Sequence, residues 1–193
     1  MDSLEINKYK YVKNMLSNDM VEYLSLYSVK KALRKKNLYD EQVGPLSTSF
    51  HSCESEVYHH LLHYLLPIME KQTNLKLKPI YCFNRIYLPG SDLKRHTDRG
   101  ACEISASISL AYSYKNKEYK WPLYMGENSV FIKKGDGVIY KGCEIEHWRP
   151  TFHQPEGSWH HQLFVHYVDL NGPNAKIEEE KVLELRPKIN IYE

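Results

Sequence analysis

The chain has 193 residues, of which 42% are hydrophobic and 26% are charged, and its formal net charge is +2 at pH 7. These values are ordinary for one globular domain and exclude collagen-like, coiled-coil and wholly disordered chains. The near balance of 26 basic and 24 acidic residues argues against a nucleic-acid partner, and no apolar run approaches the ~20 residues of a membrane helix.

The first third of the sequence is predicted to be helical. A first helix is expected from residue 18 to about residue 33, and its apolar face consists of Leu26, Val29 and Leu33. A Gly44-Pro45 break separates it from a second helix over residues 54–72, in which Pro67 is expected to bend the axis or to begin a new turn. The apolar face of the second helix consists of Val57, Leu61, Leu62, Leu65 and Ile68.

After residue 75, short segments rich in β-branched and aromatic residues alternate with turns that contain glycine or proline. These predicted strands cover residues 80–88, 104–114, 129–133, 137–140, 145–149 and 159–170. Many short strands of this kind predict an antiparallel sandwich or barrel. The charged residues 174–193 are predicted to form a short helix, a flap over the barrel or a mobile tail.

Two short motifs carry side chains suited to metal chemistry. Residues two apart in a strand point to the same face, so His96 and Asp98 are predicted to lie side by side. The same rule puts His147 and Arg149 on one face of a later strand, with Trp148 on the other. Two imidazoles and one carboxylate can form a facial triad, which leaves about half of an octahedral iron site open for exchangeable ligands.

The order of the elements around these motifs adds to the signal. The motifs stand in the segments YLPGSDLKRHTD and GDGVIYKGCEIEHWR, and a closing strand, HQLFVHYVD, follows; all three segments lie between about residues 80 and 169. They resemble the Fe(II)- and 2-oxoglutarate-dependent dioxygenases, in particular the prolyl-4-hydroxylase-like branch. The resemblance implies a mainly β fold, a double-stranded β-helix (jelly-roll) barrel supported by two or more α-helices. Iron would be held by His96, Asp98 and His147, which are therefore the predicted metal ligands and catalytic residues.

The resemblance also implies a division of the chain. Residues 1–74 would be a helical segment that packs on the barrel, residues 75–172 the catalytic core, and residues 173–193 a C-terminal tail, with one domain overall.

The family needs a basic group that holds the far carboxylate of 2-oxoglutarate, and a guanidinium can bond a carboxylate through two parallel hydrogen bonds. In much of the family this group lies well beyond the distal histidine. Here no Lys or Arg follows Arg149 until Lys176, so the sequence departs from that pattern. Arg149 is therefore the predicted anchor, with Arg85 and Lys120 as alternatives.

Two more residues are predicted to contact the cosubstrate. Tyr87 matches a position at which related hydroxylases have a tyrosine that contacts 2-oxoglutarate, and a phenol is a suitable hydrogen-bond donor. Ser109 is expected to face the same pocket because of strand alternation. The implied cofactors are Fe(II), 2-oxoglutarate as cosubstrate and O₂, with ascorbate as a candidate reductant.

The implied reaction is hydroxylation of a C–H bond, with release of succinate and CO₂. The substrate would be a prolyl or other amino-acid side chain in a peptide, a protein or a free amino acid. Related halogenases lack the carboxylate ligand, so Asp98 favours hydroxylation. Two alternatives stay open, a cupin-like metal isomerase or hydrolase and a non-enzymatic barrel that binds an anionic ligand.

The cellular location of the protein and the redox state of its cysteines are predicted from motifs that the sequence lacks. No apolar signal segment begins the chain, so we expect a cytoplasmic protein without a membrane partner. The four cysteines, Cys53, Cys82, Cys102 and Cys143, form no CxxC pair and are expected to stay reduced. The sequence supports no prediction of the oligomeric state.

Other histidines and cysteines have simpler interpretations. His59 and His63 share a helix face, as metal ligands on helices often do, but the zincin motif requires a glutamate at position 60. We therefore expect a polar helix edge there. His160 and His166 should face one side of the last strand, with core or surface roles favoured. Cys102 and Cys143 have no neighbouring base and are not expected to be nucleophiles.

Overall fold

The computed structural model describes residues 3–32, 48–51 and 55–179. These ranges contain three α-helices, α1 (Ser3–Asn7), α2 (Asn18–Ala32) and α3 (Glu56–Thr73). A 3₁₀ turn covers Gly100–Cys102. The strands are β1 (Tyr9–Val12), β2 (Thr48–His51), β3 (Leu77–Tyr87), β4 (Leu93–His96), β5 (Ile104–Ser113), β6 (Leu123–Met125), β7 (Asn128–Val130), β8 (Gly137–Lys141), β9 (His147–Arg149) and β10 (Trp159–Asp169). The described chain is mainly β, as predicted.

The strands form two antiparallel sheets. The larger sheet has the order β1-β8-β5-β10-β3-β2, and the smaller sheet has the order β4-β9-β6-β7. From β3 to β10 the chain passes back and forth between the sheets, with the β6–β7 hairpin as one of the steps. This alternation is consistent with a jelly roll, in which two sheets enclose a common interior.

The register of the larger sheet sets the rows of side chains that face this interior. The central strand β10 pairs with β3 on one side and with β5 on the other. Side chains alternate along each strand, so every second residue of β10 faces inward. The three inner rows are Arg85–Gln162–Ser109, Phe83–Phe164–Ser107 and Tyr81–His166–Ser105. The interior is therefore partly polar along its whole length.

The opposite face of the larger sheet is apolar and is covered by helices α2 and α3. Leu24 of α2 and Leu62 of α3 belong to the same buried cluster as Ile108 and Leu163 of the sheet. Burial of each leucine contributes roughly 1.5–3 kcal/mol. The Tyr167 hydroxyl also donates to the Leu62 carbonyl oxygen at 2.7 Å. The helices thus hold the central strands, whose other faces line the interior.

Several details differ from the sequence-based expectation. Helix α3 continues through Pro67 without a new start. The first third also contributes β1 and β2, which are the edge strands of the larger sheet. The sequence did not predict these strands, because a strand of four residues has too little periodicity to be recognised. The predictions on Leu33, Gly44-Pro45, Cys53 and residues 180–193 lie outside the described residues. None of the described helices is long and apolar enough to cross a membrane.

Candidate active site

The structure brings His96, Asp98 and His147 together. His96 ends β4, His147 begins β9, and the two residues are directly paired across the smaller sheet. Asp98 Oδ1 lies 3.7 Å from His96 Nε2 and 3.6 Å from His147 Nε2. The three side chains can each offer one ligand atom within 4.8 Å of the others. Their donor atoms therefore converge on one point.

Backbone carbonyls fix the orientation of both imidazoles. His96 Nδ1–H donates to the Lys94 carbonyl oxygen at 2.7 Å, and His147 Nδ1–H donates to the Ile145 carbonyl oxygen at 3.2 Å. Each ring thus keeps its proton on Nδ1 and turns the Nε2 lone pair towards Asp98. Hydrogen bonds of this kind orient metal-binding histidines and raise their basicity.

Asp98 reaches the site from a loop. The prediction that it continues the strand of His96 was wrong, because β4 ends at His96. The Asp98 N–H donates to the Gly142 carbonyl oxygen at 2.9 Å, and this bond holds the loop against the residue that follows β8. A loop can aim the carboxylate at both histidines, whereas a continued strand would align it with His96 alone.

Gly142 helps to position Asp98, and sequence reasoning did not identify this role. A methyl group on its Cα would lie 2.5 Å from Asp98 Oδ2 and even closer to the Cys102 carbonyl oxygen. Packed atoms do not come that close, so only glycine lets the Asp98 loop approach. The signal lay in the motif that contains His147, but its meaning depended on the distant contact with Asp98.

The electrostatics of the three residues favour a bound cation. Burial raises the pKa of Asp98 to about 6 and lowers the pKa of His147 to about 4. Asp98 Oδ2 is buried and has no hydrogen-bond partner among the described residues. Two neutral imidazoles and a carboxylate are the donor set of a non-haem Fe(II) facial triad, so the residues present fit iron.

A second group of potential ligands, Asp98, Cys102 and His166, overlaps the first. Burial raises the pKa of the Cys102 thiol to about 12, so the thiol stays protonated. The Tyr81 hydroxyl lies 3.0 Å from Cys102 Sγ. Because a thiolate is the form that binds metals, the set with two histidines is the better site. Cys143 is exposed and free, and neither cysteine has the features of a nucleophile.

A cavity of about 160 Å³ adjoins the three residues. Aromatic side chains form much of its wall, and Arg85 is the basic residue in its lining. The rings of Phe83 and Phe164 stack there at 4.7 Å between centroids. His166 also lines the cavity, so the expectation of a core or surface role holds only in that the residue is buried.

Arg149 is not among the residues that line this cavity. It follows His147 by two residues in β9, and both side chains are buried while Trp148 stacks on Tyr124 on the other face. The Arg149 guanidinium sits 4.5 Å from the centre of the Trp121 ring. It has no carboxylate partner among the described residues, and its Nε makes no hydrogen bond with them. Complete burial lowers the pKa of Arg149 below its ordinary value.

A hydrogen-bonded network holds the Arg149 guanidinium in place. Arg149 donates to the Trp121 carbonyl oxygen at 3.0 Å and to Gln162 Oε1 at 3.1 Å. The same Gln162 oxygen accepts from His160 Nε2–H at 2.7 Å, and the Tyr114 hydroxyl donates to His160 Nδ1 at 2.7 Å. Burial keeps the pKa of His160 well below its ordinary value. Sequence reasoning did not identify this network, which joins strands far apart in the chain.

The other predicted cosubstrate residues lie near this network. The buried Tyr87 hydroxyl accepts a bond from Arg85 at 3.3 Å, and the Tyr87 ring meets the Trp121 ring edge-on at 4.9 Å. Ser109 faces the interior, and its hydroxyl has no partner among the described residues. Lys120 is exposed and is not brought to the site.

Solved structures with the same fold connect this geometry to known enzymes. A Pseudomonas putida prolyl-4-hydroxylase is 17% identical, with a TM-score of 0.65, over 86% of this chain and 95% of that chain. HygX from Streptomyces hygroscopicus, with nickel and 2-oxoglutarate bound, is 14% identical, with a TM-score of 0.60, over 93% of each chain. The 2-oxoglutarate-dependent epimerase SnoN from nogalamycin biosynthesis is 13% identical, with a TM-score of 0.66, over 86% of this chain and 79% of that chain.

The chain has the fold of these oxygenases. Its two antiparallel sheets are consistent with the jelly roll that the resemblance implied. Comparison with protein-family models found no match, and comparison with curated protein sequences found none either. At these identities the likeness concerns the fold, and the function has to be argued from the site.

Proposed function

We propose that the protein is an Fe(II)- and 2-oxoglutarate-dependent dioxygenase that hydroxylates a C–H bond. The observation that carries the proposal is the convergence of His96, Asp98 and His147 at one end of the barrel interior. The ligand atoms are of the right types, both imidazoles are turned by backbone carbonyls, and Asp98 Oδ2 is buried without a hydrogen bond to the described residues. A divalent cation would supply the missing charge.

The residues divide the work between holding the metal and shielding the site. Fe(II) and 2-oxoglutarate, when bound, supply the oxidation of the C–H bond by O₂ together with the conversion of 2-oxoglutarate to succinate and CO₂. His96 and His147 would bind the metal through Nε2, and Asp98 through its carboxylate. The stacked Phe83 and Phe164 rings beside them keep part of the cavity wall apolar and exclude water.

We propose Arg149 as the anchor for the far carboxylate of 2-oxoglutarate, with Tyr87 and Ser109 as further polar contacts. A fully buried guanidinium without a carboxylate partner in the described chain needs an anion, and Arg149 lies on the same face of β9 as His147. The free Ser109 hydroxyl provides one more donor on the interior. Arg85 is the competing anchor because it lines the cavity beside the metal ligands.

The proposed substrate is a prolyl or other amino-acid side chain in a peptide, a protein or a free amino acid. The aromatic wall of the cavity supports this choice, because a pyrrolidine ring packs well against aromatic faces. Among the structural neighbours, one is named a prolyl-4-hydroxylase and another an epimerase, so hydroxylation is itself part of the proposal. Asp98 favours it, since a halogenase would lack this ligand.

We further propose that residues 1–74 support the catalytic core of residues 75–172, that residues 173–193 are a tail, and that together they form one domain. Packing of α2 and α3 on the larger sheet supports this division. We also propose a cytoplasmic location, which is supported by the free thiols of Cys102 and Cys143.

The test is an anaerobic absorption titration of the purified protein with Fe(II) and then with 2-oxoglutarate. We expect a weak metal-to-ligand charge-transfer band that requires both additions. Succinate release in air, measured with proline-containing peptides and with free amino acids, then screens the substrate. Asp98→Ala should abolish the band and the succinate, whereas Lys120→Ala, a change at an exposed position, should keep both.

The possible outcomes separate the proposal from its alternatives. A protein that binds iron but shows no band would be a cupin-like isomerase or hydrolase, and activity with Zn²⁺ in the absence of O₂ would identify it as such. A folded protein that binds no iron would be an anion-binding barrel. Wild-type turnover in Asp98→Ala would rule out the proposed ligand set.

A further inference from the structure

A second cluster of metal-binding side chains lies on the outside of the molecule. His59 and His63 are four residues apart on α3 and face the same side, with ring centroids 5.1 Å apart. The structure adds a carboxylate that the sequence could not assign to them. Glu179 Oε1 lies 2.7 Å from His63 Nε2 and 3.6 Å from His59 Nδ1. The polar helix edge thus has a third member from a segment 116 residues further along the chain.

The geometry of the cluster suits a four-coordinate cation. The three side chains offer ligand atoms that lie within 4.8 Å of one another. Ligands of tetrahedral zinc bind at about 2.0–2.2 Å, which puts them roughly 3.3 Å apart. The observed separations of 2.7 and 3.6 Å bracket that value. In addition, His59 Nδ1 is buried and makes no hydrogen bond with the described residues, so this nitrogen is available as a metal ligand.

We propose that His59, His63 and Glu179 form a second divalent-cation site that binds zinc, separate from the site in the barrel. Two imidazoles, one carboxylate and a water molecule complete a tetrahedral shell. On binding, the proton that His63 Nε2 now donates to Glu179 leaves this nitrogen and His63 Nδ1 takes up a proton from solvent, so the imidazole stays neutral and its Nε2 lone pair binds the metal. This inference does not depend on the proposed oxygenase activity.

The site would fasten the segment that follows β10 to helix α3. One contact already joins this segment to β3, because the Ala175 carbonyl oxygen accepts a hydrogen bond from Lys78 Nζ at 2.7 Å. Ile177 packs against a buried cluster that includes Tyr81 and Cys102, two residues that also line the cavity in the barrel. Zinc on Glu179 would therefore hold Ile177 against the outside of the cavity wall.

The experiment measures bound zinc by equilibrium dialysis with Zn²⁺ alone and a non-metal-binding reductant, followed by metal analysis. We expect two zinc ions per wild-type chain, one in the barrel and one on α3. His63→Ala and Glu179→Gln should each lose one ion. His60→Ala is the matched control, because this neighbouring histidine bonds the Glu56 carbonyl oxygen through Nδ1 and is not part of the cluster.

Asp98→Ala distinguishes this site from the barrel site. It should lose the barrel ion and keep the one on α3, so a failure of the proposed oxygenase function would leave this result intact. The inference is overturned if His63→Ala and Glu179→Gln bind as much zinc as the wild type, or if His60→Ala loses as much as they do.

Proteolysis gives a second measurement that does not count ions. Zinc should slow cleavage within residues 174–179 at least severalfold in the wild type and in His60→Ala, and should have no effect in His63→Ala. All three changed side chains are at least partly exposed, so the variants should fold. Equal cleavage rates with and without zinc in the wild type would also overturn the inference.

Discussion

The two ends of the barrel interior carry opposite charges that do not neutralise each other. At one end the buried Asp98 carboxyl group faces the imidazoles of His96 and His147, and at the other the buried Arg149 guanidinium lies on Trp121. Neither charge has an ion-pair partner of opposite sign among Lys, Arg, Asp and Glu side chains of the described chain. Burial of an unpaired charge is costly, so we expect each end to bind a ligand group of opposite charge.

The ends differ in how their hydrogen-bonding groups are arranged. At the Asp98 end, Asp98 Oδ2 makes no hydrogen bond with the described residues and Asp98 Oδ1 faces both imidazole Nε2 atoms, as a cation requires. At the Arg149 end, Gln162 and His160 hold the guanidinium through a continuous network, as the recognition of an anion requires. A metal ion and a dicarboxylate would satisfy both ends at once. Each end would therefore suit one charge of the same proposed ligand pair.

The largest expected effect comes from removing the positive charge of Arg149. Arg149→Met should weaken 2-oxoglutarate binding by about 10- to 150-fold, because a hydrogen bond to a charged group contributes roughly 1.5–3 kcal/mol. Iron binding without cosubstrate should be unchanged. The dissociation constant can be measured by anaerobic titration of the absorption band.

Arg149→Lys should recover part of the affinity, and Lys120→Met serves as the control for loss of a cation at an exposed position. Unchanged affinity in Arg149→Met, together with a loss in Arg85→Met, would move the anchor to the arginine that lines the cavity.

The next effect concerns the positioning of the negative end. Gly142→Ala should weaken Fe(II) binding by about 10- to 100-fold, as is typical when residues that support metal ligands are changed. The added methyl group would displace Asp98 Oδ2 without removing a ligand. Calorimetric titration with Fe(II) under anaerobic conditions measures the change.

Cys143→Ala is the matched control, since it alters the exposed neighbour of Gly142. If both variants bound iron with wild-type affinity, the contact between Gly142 and Asp98 would have no part in holding the carboxylate.

An effect of comparable size is expected on stability, and its sign is opposite to the loss of activity. The folded-state pKa of Asp98 is raised from 3.8 to about 6. As pH rises through this window, the unfolded chain loses its proton before the folded metal-free protein does, so stability falls. Asp98→Asn removes this loss and should stabilise the metal-free protein by on the order of 2–3 kcal/mol above pH 6.

The difference between Asp98→Asn and the wild type should vanish below about pH 4. Denaturant unfolding at pH 4, 5, 6 and 8 measures it, and comparison with the wild type cancels the contribution of His147, whose pKa is lowered to about 4. A gap that does not depend on pH would contradict the assignment of a buried, uncompensated carboxylate.

The smallest effect is expected for Tyr87→Phe. Loss of a neutral hydroxyl costs about 0.5–1.5 kcal/mol, so 2-oxoglutarate should bind roughly 2- to 10-fold more weakly. The KM for 2-oxoglutarate in the succinate assay reports this change, while the Fe(II) affinity should stay constant. A larger loss of iron than of 2-oxoglutarate would assign Tyr87 to the metal end instead.

Much of the candidate site could be predicted from local sequence. The period-two rule applied to His147 and Arg149 agrees with their shared burial, because β9 is regular over those residues. Alternation likewise put Ser109 on the interior. These properties depend on neighbours within a few positions, which is the range over which strand geometry acts.

The remaining features depend on contacts between distant segments, and only the tertiary structure decided them. Asp98 left the strand because its loop bonds Gly142, and Arg149 is held by Gln162 and His160 through the register of β10. Local sequence patterns indicated which side chains are able to bind a metal and an anion. Packing and strand register determined which of them meet, because a local pattern carries no information on the segment that lies opposite.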